Sequence, residues 1–202
     1  MMNQEEKDSL LSLYEDRLEK YGHSYKTVGW GSRESQELRF NILFRNVDIE
    51  NKSILDLGCG LGDVIDYLNN AGVSNYQYIG VDISDKLIDQ AKRRHKGENI
   101  KFIVKNIIDD ELPKADVVIA SGMLTFNIEY NRVNIESIMK KIFQSSRELC
   151  AINFLSSYVD FELEKNLHFS PEKIFSYAKN ISNFVSIYHD YPLYEFTVQL
   201  RR

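Results

Sequence analysis

The residues best placed to do chemistry fall in one short run, Ile54-Leu-Asp-Leu-Gly-Cys-Gly-Leu-Gly-Asp63. Its apolar first half reads as a buried strand, its glycines as a turn, and the residues from Asp63 onward as a helix. Glycines at 58, 60 and 62 let a ligand approach the backbone closely, and the helix start offers unpaired N–H groups. That arrangement suits a nucleotide-type cofactor. A further acid, Asp82, closes the run Tyr78-Ile-Gly-Val-Asp-Ile83 about twenty residues beyond the turn, where a carboxylate can accept hydrogen bonds from two ribose hydroxyls.

Charge selects among cofactors. The dinucleotide fingerprint G-x-G-x-x-G, begun at Gly58, requires glycine at position 63, where this chain has Asp63, and Asp56 stands just before the turn. A pyrophosphate would face both carboxylates. S-adenosylmethionine carries a sulfonium and an ammonium and no phosphate, so the same carboxylates favour it.

With these pieces the chain resembles the class I S-adenosylmethionine-dependent methyltransferases. The resemblance rests on Asp56-Leu-Gly-Cys-Gly-Leu-Gly62, on Gly80-Val-Asp-Ile-Ser84, and on Asn106-Ile107 after the third strand. It implies that Asp56, Gly58, Cys59, Gly60 and Asp63 cradle the methionine part of the cofactor. It also implies that Asp82 and Ile83 hold the ribose, that Asn106 and Ile107 meet the adenine, and that Ser121 joins the site from the fourth strand. The family often has Asp where this chain has Asn106, whose side-chain oxygen can still accept from the adenine amino group.

The elements that position these residues follow from periodicity. Leu11, Tyr14 and Leu18 recur at helical spacing within residues 3–21, and Gly22 is a C-terminal stop. A glycine-containing loop over 22–32 leads to a second helix over 33–46. Apolar runs follow at 53–57, 76–81, 100–104, 116–120 and 149–154, with helical patterns between the first and second, second and third, and fourth and fifth. Strands alternating with helices predict a parallel sheet covered on both faces. Ser170-Pro171-Glu172 starts a helix ending near Asn180, and two β-rich runs, 184–188 and 194–200, are joined too closely for a parallel crossover. The expected fold is α/β: a Rossmann-like, seven-stranded, mostly parallel sheet with an antiparallel C-terminal hairpin. Residues 1–46 form a helical preface and lid, and 47–202 the cofactor-binding domain.

Composition bounds the remaining classes. The chain has 202 residues, 25 Lys+Arg against 30 Asp+Glu for a net charge of −5, and 43% hydrophobic residues, the balance of an ordinary globular protein. It contains no run of about 18 apolar residues and no secretory leader pattern, so the expected location is cytoplasmic with no membrane partner. Cys59 and Cys150 lie apart from any metal-ligand spacing, and no acidic cluster for Mg²⁺ is recognisable, so no metal is expected. Cys59 reads as a small residue filling the turn rather than a nucleophile, and Cys150 as core. The acidic balance disfavours a nucleic-acid partner. The basic run Lys92-Arg-Arg-His-Lys96 ends a helix, where cations complement the helix dipole, and leads away from the ligand edge.

The acceptor must arrive at the carboxyl edge of the sheet. There, His189 is the first candidate for a base, with His23 on the lid second. Tyr25, Trp30, Tyr158, His168 and Asp190 are candidates for substrate binding, beside Asp160. For each of these, packing or capping competes with chemistry. Ser121-Gly-Met-Leu124 stands where amine-directed relatives carry an Asn/Asp-Pro-Pro-Tyr/Phe element, which points away from DNA or protein amines. The expected reaction is methyl transfer from S-adenosylmethionine, leaving S-adenosylhomocysteine, to a small-molecule acceptor, at a hydroxyl of a saccharide, nucleotide-linked sugar or other polar metabolite. The alternatives are an RNA-directed methyltransferase, a non-catalytic cofactor-binding module and an NAD-dependent oxidoreductase.

Overall fold

The apolar runs pair into one sheet in the computed structural model, which describes residues 3–202. Its strands are β1 (Lys52–Leu57), β2 (Tyr76–Asp82), β3 (Ile100–Val104), β4 (Ala115–Ala120), β5 (Ser146–Ser156), β6 (His168–Phe169), β7 (Phe184–Tyr188) and β8 (Glu195–Arg201). The order is β3-β2-β1-β4-β5-β8-β7, with β1 to β5 parallel and β8 antiparallel to both β5 and β7. The expected seven strands and terminal hairpin are present. The eighth, β6, arises because the long connection after β5 folds back so that His168 and Phe169 pair in parallel with Leu155 and Ser156.

Helices α3 (Asp63–Asn70), α4 (Asp85–Arg94), α5 (Glu129–Ser145) and α6 (Pro171–Ile181) alternate with the strands. Two apolar cores result. Ile138, Met139, Ile142 and Ile174 pack with Phe154 and Phe196 on one face, while Val64, Leu68, Ile88 and Phe102 pack with Ile54 and Tyr78 on the other.

Two helices precede the sheet. In α1 (Gln4–Tyr21), Asn3 and Glu6 form a reciprocal capping box and Gly22, at φ 57°, ends the helix as expected. Among the described residues α1 buries none of its own. It is held across the carboxyl edge by a Lys86–Glu15 ion pair at 2.6 Å, by Glu129 N–H donating to Glu6 Oε1 at 2.8 Å, and by Tyr14 meeting Phe126 edge-on at 5.8 Å. α2 (Arg33–Leu43) stops short of residue 46, because Asn46 takes a left-handed φ of 58°. Its Phe40 and Leu43, with Phe44, enter the core under α3, so packing continues across residue 46. No helix among the described residues is long and apolar enough to cross a membrane.

Candidate active site

β1 carries Asp56 to the carboxyl edge, and the chain then turns through Gly58, Gly60 and Gly62 at positive φ. Gly58 and Cys59 N–H both donate to the Val81 carbonyl, at 2.8 and 3.0 Å, locking the turn to β2. Asp82 accepts from Gly60 N–H at 2.9 Å and from Ser84 N–H at 3.0 Å, so the acid and the turn fix each other. Burial raises the Asp82 carboxyl above its ordinary value, and these backbone donors oppose the rise. The preface loop lies directly over the turn: a Cβ on Gly60 would come within 2.6 Å of Val28.

Asp56 is buried, accepts from the Tyr78 hydroxyl at 2.6 Å, and has its pKa raised by burial to about 7. Asp63 also lines the cavity beside the turn, but it is engaged by other side chains. It accepts from Arg94 Nη1 at 2.5 Å and Gln36 Nε2 at 2.8 Å, and Arg94 also pairs with Asp66. The basic run therefore does not simply lead away from the site, since the last turn of α4 brings Arg94 beside the first turn of α3. Asp56 and Asp82 are left to carry the electrostatic argument. The Cys59 thiol is buried and pushed well above its ordinary value, as suits a filler of the turn and not a nucleophile.

A cavity of about 360 Å³ runs from this turn along the carboxyl edge to the loop after β4. Asp56, Asp82, Ile83, Asn106, Ile107 and Ser121 line it together. Asn106 Oδ1 already accepts from Ile108 N–H at 2.9 Å and its Nδ2 donates to Asp109 at 2.7 Å, which holds the turn after β3. The Ser121 hydroxyl is buried in the cavity wall without a partner. Leu10, Tyr14 and Arg17 of α1 and Val28, Gly29 and Trp30 of the following loop form the roof.

The profile of the methyltransferase-domain family matches residues 48–195. The chain belongs to that family. A Mycobacterium tuberculosis protein classed as a methyltransferase is 35% identical over 160 residues, 74% of this chain and 93% of its own. The carboxy-S-adenosyl-L-methionine synthase of Helicobacter hepaticus is 26% identical over 144 residues, 68% of this chain and 55% of its own. Magnesium protoporphyrin IX methyltransferase from Synechocystis PCC 6803, solved with bound SAH, shares the fold at a TM-score of 0.71 and 14% identity across 97% of each chain. The resemblance drawn from the three motifs is thereby confirmed.

S-adenosylmethionine is the methyl donor of such domains, and this methyltransferase domain has residues that fit it. Asp82 keeps lone pairs free for ribose hydroxyls, Asp56 offers a buried acceptor for an ammonium, and the orphaned Ser121 hydroxyl awaits a partner.

Of the residues expected to bind acceptor, the methyltransferase cavity takes in Trp30 alone. Its ring stacks on the Arg39 guanidinium at 4.1 Å and lies against Gly122, where a Cβ would come within 2.4 Å of it. The others fall outside the lining. His189 is exposed between Tyr158 and Phe196, with centroids 6.0 and 5.9 Å away, because β7 is the outermost strand and its end lies far from β4. His23 Nε2 meets Gln90 Oε1 at 3.0 Å in a surface depression between α1 and α4. Both expected bases are thus away from the cofactor turn. Tyr158 donates to Glu172 on the surface, Asp160 is exposed, and Asp190 pairs with Arg45 at 2.8 Å. His168 Nδ1 meets the Ser156 carbonyl at 2.8 Å and so fixes β6, and Tyr25 contributes its carbonyl to Trp30 N–H at 3.0 Å.

Sequence reasoning missed Tyr14, Arg17, Phe126, Leu163 and Lys165, all of which line the cavity. The signal for the first two was the helical spacing Leu10, Tyr14, Arg17, a face the charges around it made look solvated.

Proposed function

We propose that this domain transfers a methyl group from S-adenosylmethionine to an oxygen of a small-molecule acceptor. The observation that carries this reading is the roofed cavity, which joins the glycine turn and its two buried acids to the loop after β4. In this reading Asp56 takes the ammonium, Asp82 and Ile83 the ribose, and Asn106 and Ile107 the adenine. The bound cofactor supplies an electrophilic methyl carbon on a sulfonium. The chain's own work is alignment and the exclusion of water, which α1 and Trp30 accomplish from above.

The acceptor end is walled by Trp30, Met123, Phe126, Ile128 and Leu163. Those walls favour an acceptor with an apolar or aromatic body over the saccharide that composition suggests, since polar contacts there are confined to Thr125, Asn131, Lys165 and Asn166. A roofed cavity supports a small molecule over RNA. The RNA reading also needs a basic rim, and of the basic run Arg94 is already committed to two aspartates.

Thermal shift with S-adenosylmethionine, S-adenosylhomocysteine and NAD tests the cofactor. Either adenosyl ligand at a hundred times its dissociation constant should stabilise the chain by about 2.7 kcal/mol. Asp82→Ala should abolish the shift, and stabilisation by NAD alone would sink the reading.

A further inference from the structure

Among the described residues, the acceptor end of the cavity holds no histidine or carboxylate. Its lining there includes Met123, Thr125, Phe126, Asn131, Leu163 and Lys165, and none of the chain's 4 histidines is among the residues lining the cavity. The carboxylates that do line it belong to the cofactor end: Asp56 and Asp82 flank the glycine turn, and Asp63 is held by Arg94. Burial pushes the Tyr14 hydroxyl and the Cys59 thiol up, so neither is an anion at neutral pH. Two cations line the cavity, Arg17 in its roof beside Gly29 and Lys165 at the acceptor end, and neither makes an ion pair among the described residues.

Methylating a neutral hydroxyl requires that a proton leave, ordinarily to a base within hydrogen-bond reach. Nothing at this end of the cavity can take it. We infer that the acceptor is already an oxyanion when it binds: a carboxylate on an apolar or aromatic body, drawn in by Lys165 and seated against Trp30 and Phe126. The inference rests on the methyl-transfer reading above. One carboxylate oxygen forms the new O–C bond as the C–S bond breaks, and the electron pair of that bond goes to sulfur. A carboxylate and a sulfonium become a neutral ester and a neutral thioether, and no proton moves. Because two opposite charges vanish, a site shut off from water favours the step.

The crossing that carries Lys165 is fastened to the loop after β4. Asn127 N–H donates to the Lys165 carbonyl at 3.0 Å, and Leu167 N–H to the Thr125 carbonyl at 2.9 Å. Lys165 is therefore held beside the loop after β4, on the wall of the same cavity.

The test incubates the full chain with S-adenosylmethionine tritiated in its methyl group and a cellular small-molecule extract, split by anion exchange into retained and unretained fractions. Label should transfer in the retained fraction only and be released as volatile methanol by mild alkali, which cleaves methyl carboxylates and leaves ethers and phosphate or phosphonate methyl esters intact. Alkali-stable product would overturn the carboxylate while leaving methyl transfer standing. Absence of transfer and of S-adenosylhomocysteine with every fraction would overturn both. With the active fraction, Lys165→Met should raise KM roughly tenfold, the scale of one charged hydrogen bond, and leave the Kd for S-adenosylhomocysteine unchanged. At saturating S-adenosylmethionine the rate should stay flat from about pH 6 to 9, whereas a rise of about tenfold per unit would reveal a base.

Discussion

Asp56 is 2% exposed with Oδ2 on the Tyr78 hydroxyl, and burial holds its carboxyl near 7 against an ordinary 3.8. Raised above its unfolded value, this group stabilises the fold fully below that value, and the contribution is lost as pH climbs through 7. An ammonium placed beside it reverses the preference and expels the proton. Binding of S-adenosylhomocysteine at about pH 6 should thus release close to one proton, read by calorimetry in buffers of different ionisation enthalpy. Asp56→Asn should bind without that release, and equal release from both proteins would remove Asp56 from the cofactor site. The position of Asp56 and Asp82 at the glycine turn was legible in the sequence because strand, glycine turn and acid lie close along the chain, so local geometry follows from local residues. His189 was misread because the end of a strand points toward the ligand edge without saying where along that edge the strand lies.

Among the elements, α2 is tied to the far side of the sheet by polar groups that the apolar pattern cannot reveal. Arg39 Nε donates to Glu195 Oε2 at 2.6 Å from the start of β8, and Asn153 Nδ2 donates to the same oxygen at 2.9 Å. Asn153 Oδ1 accepts from Gly122 N–H at 2.7 Å, so the chain of contacts ends beneath Trp30, which Arg39 supports from behind. Arg39 and Glu195 are 156 residues apart, and no periodicity or motif links them. Strands and helices were legible because burial imposes a period on each. The partner of a buried charge was not, because pairing depends on sheet order. Arg39→Leu leaves Glu195 buried without its cation and should destabilise the chain by about 3–5 kcal/mol in urea unfolding. The emission of Trp30, the only tryptophan, should shift to the red as its platform is lost. Arg39→Leu with Glu195→Leu should recover part of the stability. A double variant no better than the single one would mean that packing, and not the uncompensated charge, sets the loss.

At the scale of the whole molecule, the first 46 residues divide into a cover and a part of the core. No described residue of α1 is wholly buried, although its Tyr14 hydroxyl is desolvated over the site, and its ties to the rest of the chain include an exposed ion pair, a hydrogen bond from a backbone N–H to the Glu6 carboxylate and an aromatic edge contact. Such contacts are worth about 1–2 kcal/mol each, so removing residues 1–21 should leave a cooperative melt lowered by roughly ten degrees. The same deletion strips Leu10, Tyr14 and Arg17 from the cavity roof and should weaken binding of S-adenosylhomocysteine. Removing residues 1–46 is a different act. It takes Phe40, Leu43 and Phe44, 4%, 0% and 7% exposed, out of the core and leaves Glu195 unpaired. At about 2–5 kcal/mol for each large apolar side chain, against a total stability of about 5–15 kcal/mol, the remainder should not fold cooperatively. Circular dichroism melts of the two truncations decide the matter. A cooperative 47–202 would make residue 46 a packing boundary after all, and a molten 22–202 would place α1 in the core rather than over the site.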